Sequence, residues 1–568
     1  MRTILRRLLV ALVGVAVVAT APGQAAAGRQ PGKPLSAQAV VAAMQPGWNL
    51  GNTFDAVGPD ETAWGNPRVT EELLENLKAQ GFKSIRIPVT WDQHLGAAPD
   101  YQIDPAWLAR VQEVVGWALE DGFYVLLNMH HDSWLWVERM PTEHDTVLAR
   151  YTAVWTQVAD AFRDASPKLL FESINEPRFA GSSGDAENGD AENAALLHEL
   201  NVVFHDVVRS SGGGNATRLL VLPSLFTSDD QIWLDGLAST IAELADPNLI
   251  ATFHFYGFWP FSVNVAGFTR FDATVQQDLT DRFDRVYNTL VANGIPVILG
   301  EYGLLGFDVH TGTVEQGEKL KFFEFLGYHA RTRQLTTMLW DNGQHFQRTG
   351  FEWNDPALYQ QIRSSWRVRS GTASTDLVFV DSAVGATAVT VTLHRNGYAF
   401  TGLFHGSQKL VNGQDYIISR DQLTLSAALL ARLTDGVSHG TAAVLRARFA
   451  RGVPWQFNVV AYERPVLADA AGTTDAFAIP ADFHGDQLAT MEATYADGTN
   501  AGPHNWTPFK EFGRAFSPDY AAGGIALTPA FFAEVADGAA VTLAFHFWSG
   551  ETVTYTVTRS GTAVTGVA

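Results

Sequence analysis

Between residues 36 and 367, short apolar runs alternate with stretches whose apolar residues recur every three or four positions. Eight runs stand out: "GWNLGN" (47–52), "KSIRIPV" (83–89), "YVLLNMHH" (124–131), "LLFESINEP" (169–177), "RLLVLPS" (218–224), "LIATFHFY" (249–256), "IPVILGEY" (295–302) and "LTTMLWDN" (335–342). Most are continuously apolar, the pattern of parallel strands buried on both faces. Between them, "DPAWLARVQEVVGWALEDG" (104–122) predicts a helix. Asp104 caps it, Pro105 opens it and Gly122 stops it, while Trp107, Leu108, Val111, Val114, Val115, Ala118 and Leu119 share one face. Eight strand–helix units over this length predict an α/β fold, a (β/α)8 TIM barrel with insertions. The glycine- and acid-rich "GSSGDAENGDAEN" (181–193) reads as one inserted loop.

The texture changes near "RSGTASTD" (369–376). Runs such as "AVTVTL", "YIIS", "AAVLRARFA" and "FNVVAYE" follow, punctuated by Ser, Thr, Gly and Asp, which predicts a β-sandwich. A second break falls at "LADAAGTTDA" (467–476), and the last segment ends in a hairpin around Ser549-Gly550, within a second sandwich. The two sandwiches are not obvious repeats of each other. The expected organisation is a leader at 1–27, a barrel at 28–368, one all-β sandwich at 369–466 and another at 467–568.

The leader is read from Arg2, Arg6 and Arg7, the apolar "LLVALVGVAVVAT" (8–20) and the small residues "AAA" (25–27). These are the three parts of a secretory signal peptide, with cleavage expected near Gly28. The apolar run is short for a bilayer span, which needs about 20 residues. A formal net charge of −21 disfavours phosphate backbones as partners, and a neutral polymer fits better. The absence of cysteine excludes disulfides, thiolate metal sites and cysteine nucleophiles, so each domain must stand on its own core.

In a (β/α)8 barrel the chemistry sits at the C-terminal ends of the strands. Those ends carry Asn52, Arg86, His130, His131, Asn175, Glu176, His254, Tyr256, Glu301, Trp340, Asp341 and Asn342. Two carboxylates stand out, Glu176 after the fourth strand and Glu301 after the seventh. Carboxyl groups about 5–5.5 Å apart suit a retaining glycosidase, and a gap of about 6.5–9.5 Å an inverting one. Bland alternatives exist for each residue. The glutamates and Arg86 can be structural ion pairs, Trp340 core filler, and His130–His131 metal ligands, although adjacent strand residues point to opposite faces. Trp134, Trp136 and Trp259 follow strands three and six, where loops line the mouth, and are candidate sugar platforms. Trp107 and Trp117 lie on an outer helix and read as structural.

"KSIRIPVTW", "LNMHHD", "LLFESINEPR", "TFHFYG", "PVILGEYG" and "LWDNG", met in this order over roughly residues 40–367, resemble glycoside hydrolase family 5. The resemblance implies Glu176 as general acid/base and Glu301 as nucleophile. It implies hydrogen bonds to Glu301 from Arg86 and Tyr256, contact of Asn175 with a sugar 2-hydroxyl, and a subsite lined by His130 and His254 with Trp340 as its floor. His131 would shape or support the cleft. An acid needs a raised pKa, which a nearby like charge supplies. "GWNLGNTFDA" (with Asn52) looks most like the broad-specificity endo-β-1,4-glucanases of that family, and the tail resembles an immunoglobulin-like module followed by a family 46 carbohydrate-binding module. Trp506 in "HNWTPF" and Trp548 in "FHFWSG" are the candidate sugar contacts there, one of them expected to be core. No cofactor is implied, and the expected partner is a β-glucan met by a secreted monomer, with no nucleic acid or membrane. A mannanase, a xyloglucan-specific enzyme, a non-catalytic binding protein and a metal-dependent hydrolase are the competing readings.

Overall fold

The structure, a computed structural model, describes residues 35–180 and 191–568. The leader expected at 1–27 and most of the loop expected at 181–193 lie outside the described residues; Ala191 already opens the helix Ala191–Ser210.

Eight parallel strands close into a barrel in sequence order. They are β1 (Gly47–Asn49), β2 (Ser84–Ile87), β3 (Tyr124–Asn128), β4 (Leu169–Glu172), β5 (Leu220–Pro223), β6 (Leu249–Phe255), β7 (Val297–Tyr302) and β8 (Thr336–Leu339). Side chains alternate between the two sides of this wall. Ile85, Val125, Leu127, Leu169 and Phe171 point outward and join the main core under the helices. Leu126, Leu170, Val221, Ile250, Ile298 and Met338 form a separate inner cluster, closed by Val40, Val41 and Met44 of the helix Ala37–Met44. Above that plug the inward positions turn polar: Arg86 on β2 and Glu172 on β4 are both fully buried. The helix predicted at 104–122 is present as Pro105–Glu120, with Asp104 accepting from the Ala106 amide at 2.8 Å.

The strands are shorter than the apolar runs suggest. β4 stops at Glu172, so Asn175 and Glu176 stand on the loop beyond it rather than at a strand end. The backbone there cannot stay extended, because Glu176 adopts φ +38°.

Two β-sandwiches follow, each of a four-stranded and a five-stranded sheet and each with its own apolar core. Phe457, Leu445, Leu403 and Leu423 sit at the centre of the middle one, and Phe516, Ile525, Phe531 and Phe545 at the centre of the last. The last hairpin pairs Ala540–Phe547 with Thr552–Ser560 across the turn at Ser549-Gly550. The middle sandwich is fixed to the barrel by Arg369, which grips Glu324 with bonds of 3.0 and 2.8 Å. The terminal sandwich docks on the loop after β6. There Asn264 Nδ2 donates to the Ala489 carbonyl at 2.9 Å, and its own carbonyl accepts from the Phe512 amide at 3.2 Å. Among the described residues, no helix is long and apolar enough to cross a membrane.

Candidate active site

The inward polar positions converge on Arg86. Its Nε and Nη2 donate to the two oxygens of Glu172 at 2.7 and 2.8 Å, and its Nη1 to Glu301 Oε1 at 2.6 Å. Nη1 also donates to Asn49 Oδ1 at 3.1 Å and Nη2 to Asn175 Oδ1 at 2.8 Å. A buried guanidinium is tolerable only with such partners. The charges of Glu172 and Glu301 outweigh the cost of burial, so Arg86 stays protonated at any ordinary pH.

Glu301 reaches this position through a defect in the sheet. Phe253 pairs with Leu299, but His254 pairs with Glu301, leaving Gly300 as an extra residue. Such a bulge re-aims the side chain that follows it. Only glycine fits there, since a Cβ on Gly300 would meet Thr252 Oγ1 at 2.7 Å and His254 Nε2 at 3.1 Å. Tyr256, one residue past β6, donates its hydroxyl to Glu301 Oε2 at 2.7 Å. Burial first, then the charges of Glu301 and Asp308, push the Tyr256 hydroxyl well above its usual range, so it remains a donor.

The Glu176 loop is pinned from both sides. The Asn175 amide donates to the Met129 carbonyl at 2.8 Å, the Glu176 amide to Thr227 Oγ1 at 3.1 Å, and the Phe226 amide to the Pro177 carbonyl at 2.8 Å. The left-handed φ of Glu176 costs on the order of 1–3 kcal/mol, a cost these bonds offset. His254 Nδ1 lies 3.0 Å from Glu176 Oε1 and 3.6 Å from Glu301 Oε2. One oxygen of each glutamate and a His254 nitrogen fall within 4.8 Å of one another. The second oxygen of Glu176 accepts from Arg178 Nη2 at 3.1 Å. Burial alone would raise the Glu176 carboxyl. The His254 hydrogen bond and the charges of His254, Arg178 and Arg86 together hold it below its ordinary value. This departs from the raised acid that the sequence leads one to expect, because the His254 hydrogen bond and the guanidinium groups of Arg178 and Arg86 outweigh burial.

His130 and His131 lie past β3 on a turn rather than on a strand, so the opposite-face argument does not apply; their rings meet edge-on at 4.5 Å. The His130 ring lies parallel to Trp340, 5.9 Å away. Asn128 Oδ1 accepts from the Val89 amide, so its Nδ2 donates to His130 Nδ1, which places the ring proton on Nε2. Burial, reinforced by His131, Arg86 and His254, holds His130 well below its usual value and therefore neutral. Gly51 makes room for Trp340, whose ring atoms would lie 2.8–2.9 Å from a Cβ there. Asn52, with φ +52°, sits half-buried beside it.

Trp134 is exposed and donates to His131 Nδ1 at 2.9 Å. Trp136, two residues on, is 3 % exposed, bonded to Asp132 and covered by Arg150, so it is core and not a platform. The one-turn helix Asp132–Leu135 separates the two fates. Trp259 is exposed and stands 6.4 Å from Trp506 of the terminal sandwich, ring to ring. Trp506 is 58 % exposed, whereas Trp548 is half-buried with Arg270 of the barrel 4.8 Å over its ring. The open aromatic of the pair is Trp506.

Asp55, His130 and His131, and separately Glu176, His254 and Glu301, are close enough to share a cation. The carboxylates of both sets are already engaged. Asp55 accepts from the Asn52 and Thr53 amides, and each glutamate oxygen named above holds its own donor. Sequence reasoning misses Glu172, Arg178 and Trp64. Glu172 was signalled by a charge inside an apolar strand. Trp64, exposed and 5.2 Å from His131, lies on the long loop after β1 and carries no local signal.

An eight-stranded barrel whose mouth carries two bridged glutamates beside open aromatic rings has the architecture of a glycoside hydrolase. A model described as cellulase (glycosyl hydrolase family 5) matches residues 46–346. Two carbohydrate-binding domain models, X2 and CBM46, match residues 372–459 and 463–567. The chain is 55 % identical over 556 residues to endoglucanase B of Paenibacillus lautus, covering 98 % of this chain and 97 % of that protein. Among solved structures, the full-length tri-modular endo-β-1,4-glucanase B of Bacillus halodurans superposes with a TM-score of 0.92 at 53 % identity, over 94 % of this chain and 100 % of that one. A tri-modular subfamily 4 endo-β-1,4-glucanase of Bacillus licheniformis, complexed with cellotetraose, gives 0.78 at 31 % identity, over 92 % and 99 %. The chain belongs to glycosyl hydrolase family 5.

Proposed function

We propose that the chain is a secreted endo-β-1,4-glucanase that cleaves cellulose, mixed-linkage β-glucan and xyloglucan internally with retention of configuration. The observation that carries this reading is the His254-bridged pair Glu176 and Glu301, with oxygens within 4.8 Å. That gap suits a covalent route, for which carboxyl groups about 5–5.5 Å apart are typical, better than one that seats a water between them. Glu301, held by Arg86 and Tyr256, attacks the anomeric carbon. Glu176 first protonates the departing oxygen and then takes a proton from the incoming water. Asn175, held by Arg86, meets the 2-hydroxyl, and Trp340 with His130 forms the floor. Trp134 extends the platform on one side, and Trp259 with Trp506 on the other, so that the terminal module takes part in the cleft.

The relatives named as endo-β-1,4-glucanases support the bond cleaved, and one similar barrel, described as a xyloglucan-specific endo-β-1,4-glucanase, supports tolerance of branches. The charged, apolar and small-residue order of residues 1–27 supports export. The proposed module bounds are 28–368, 369–466 and 467–568, acting as a monomer. The test is reducing-sugar release by residues 28–568 on carboxymethylcellulose, barley β-glucan, tamarind xyloglucan and galactomannan, with Glu301→Ala as control. Release from the glucans, abolished by the control, supports the reading; release from galactomannan alone transfers the mechanism to a mannanase.

A further inference from the structure

The acid of a retaining hydrolase must present a proton to the glycosidic oxygen, and in this cleft neither oxygen of Glu176 is free. Oε1 is held by His254, which is 9 % exposed and fixed on β6 between the two glutamates. Oε2 is held by Arg178, two residues on in the same loop. The two partners differ in freedom. The Arg178 side chain is 42 % exposed, and its guanidinium donates to Glu176 at the carboxylate, 3.1 Å, and at the backbone carbonyl, 3.5 Å. A guanidinium is donor-only, so it can sit beside an ionised oxygen but cannot accept from a protonated one. Oε2 is therefore the oxygen that can become the proton donor, and only once Arg178 has moved.

Resting on the proposal that Glu176 is the acid, we propose that Arg178 is a positioning residue that keeps Glu176 ionised until a sugar enters beyond the scissile bond and then yields. The leaving-group sugar thereby arms its own acid. As the guanidinium swings away, Glu176 takes a proton from solvent. That proton passes to the glycosidic oxygen as the bond from the anomeric carbon to that oxygen breaks and the bond to Glu301 forms. The groups that face Glu176 are His254 from β6, Arg86 from β2, Glu301 from β7, Tyr256 beyond β6 and Arg178 itself. Of these, Arg178 is the one exposed enough to leave.

The test is the pH dependence of kcat/KM and kcat for residues 28–568, Arg178→Met and Arg178→Lys. The substrates are cellopentaose and 2,4-dinitrophenyl β-cellobioside, whose leaving group needs no proton. An opposite charge at this range lowers a carboxyl by about 1–3 units, and solvent exposure favours the low end. The basic limb of kcat/KM on cellopentaose should therefore rise by about one unit in Arg178→Met and return towards the parent in Arg178→Lys. In the parent, the basic limb of kcat should lie above that of kcat/KM. On the dinitrophenyl substrate, kcat/KM should change less than about twofold. An unmoved basic limb in Arg178→Met, or equal losses on both substrates, overturns the inference. Glu176→Ala, run alongside, separates the two levels. If it loses as much kcat/KM on the dinitrophenyl substrate as on cellopentaose, Glu176 is not the acid and the underlying reading fails first.

Discussion

Asp341 should be the least replaceable residue of the barrel rim that does no chemistry. It follows Trp340 at the end of β8 and is fully buried. Its Oδ1 accepts from the Gly343 and His345 amides at 2.9 and 3.1 Å, and its Oδ2 from the Trp48 indole and the Phe346 amide at 2.9 and 3.0 Å, with Arg348 at 3.5 Å. Asp341→Asn keeps the shape and one acceptor oxygen. The new amide nitrogen must face either the Trp48, Phe346 and Arg348 donors or the Gly343 and His345 amides. At least two N–H groups lose their acceptor in either orientation, at about 1–3 kcal/mol each, so the variant should lose about 2–6 kcal/mol or more. For a barrel of this size, at about 2 °C per kcal/mol, its transition in scanning calorimetry of the full chain should fall by about 4–12 °C. The released turn carries Trp340, so kcat/KM on cellopentaose should fall as well. A transition within about 2 °C of the parent, with kcat/KM unchanged, would refute the argument that this carboxylate holds the loop.

Glu176→Ala should lower kcat/KM on barley β-glucan by about 10²–10⁴-fold, the usual share of acid–base assistance, measured by reducing-sugar release. Trp136→Ala should cost about 3–5 kcal/mol of stability by calorimetry, whereas Trp134→Ala should leave the transition in place and raise KM for cellopentaose. Trp506→Ala should raise KM for polymeric glucan while leaving the dinitrophenyl cellobioside unaffected. Asp376, buried where the middle module meets the barrel, is pushed up to about 6 by burial and then by the Glu318 charge. Its folded form holds a proton that the unfolded chain releases near 3.8. The stability it contributes is present in full below about pH 4 and is lost as pH rises through 6. Asp376→Asn should flatten that part of the Tm–pH curve.

The barrel was legible because its strands are short, apolar and regularly spaced, and burial on both faces leaves few other ways to satisfy them. The runs overstated strand length because an apolar residue in a packed loop, such as Ile174, looks the same as one in a strand. Arg86, Glu176 and Glu301 were visible as polar residues in apolar context. What brings them together was not: the bulge at Gly300 depends on pairing between β6 and β7, and the positive φ of Glu176 on contacts from the loops after β3 and β5. Trp134 and Trp136 could not be told apart, since a single helical turn decides which one is covered. The same holds for Trp548, whose cover, Arg270, comes from another module. One pattern was readable and missed. "QLTLSAALL" and "GIALTPAFF" both run from a strand into a short helix capped by Ser426 or Thr528, the same unit in each sandwich.

The most direct test of the central claim is to incubate residues 28–568 with a 2-deoxy-2-fluoro β-cellobiosyl fluoride, digest with protease and locate the label by mass spectrometry. The account predicts one cellobiosyl group, on the peptide that contains Glu301, with labelling lost in Glu301→Gln. A label on Glu176, or turnover that releases the α-anomer with no labelled peptide, would contradict it.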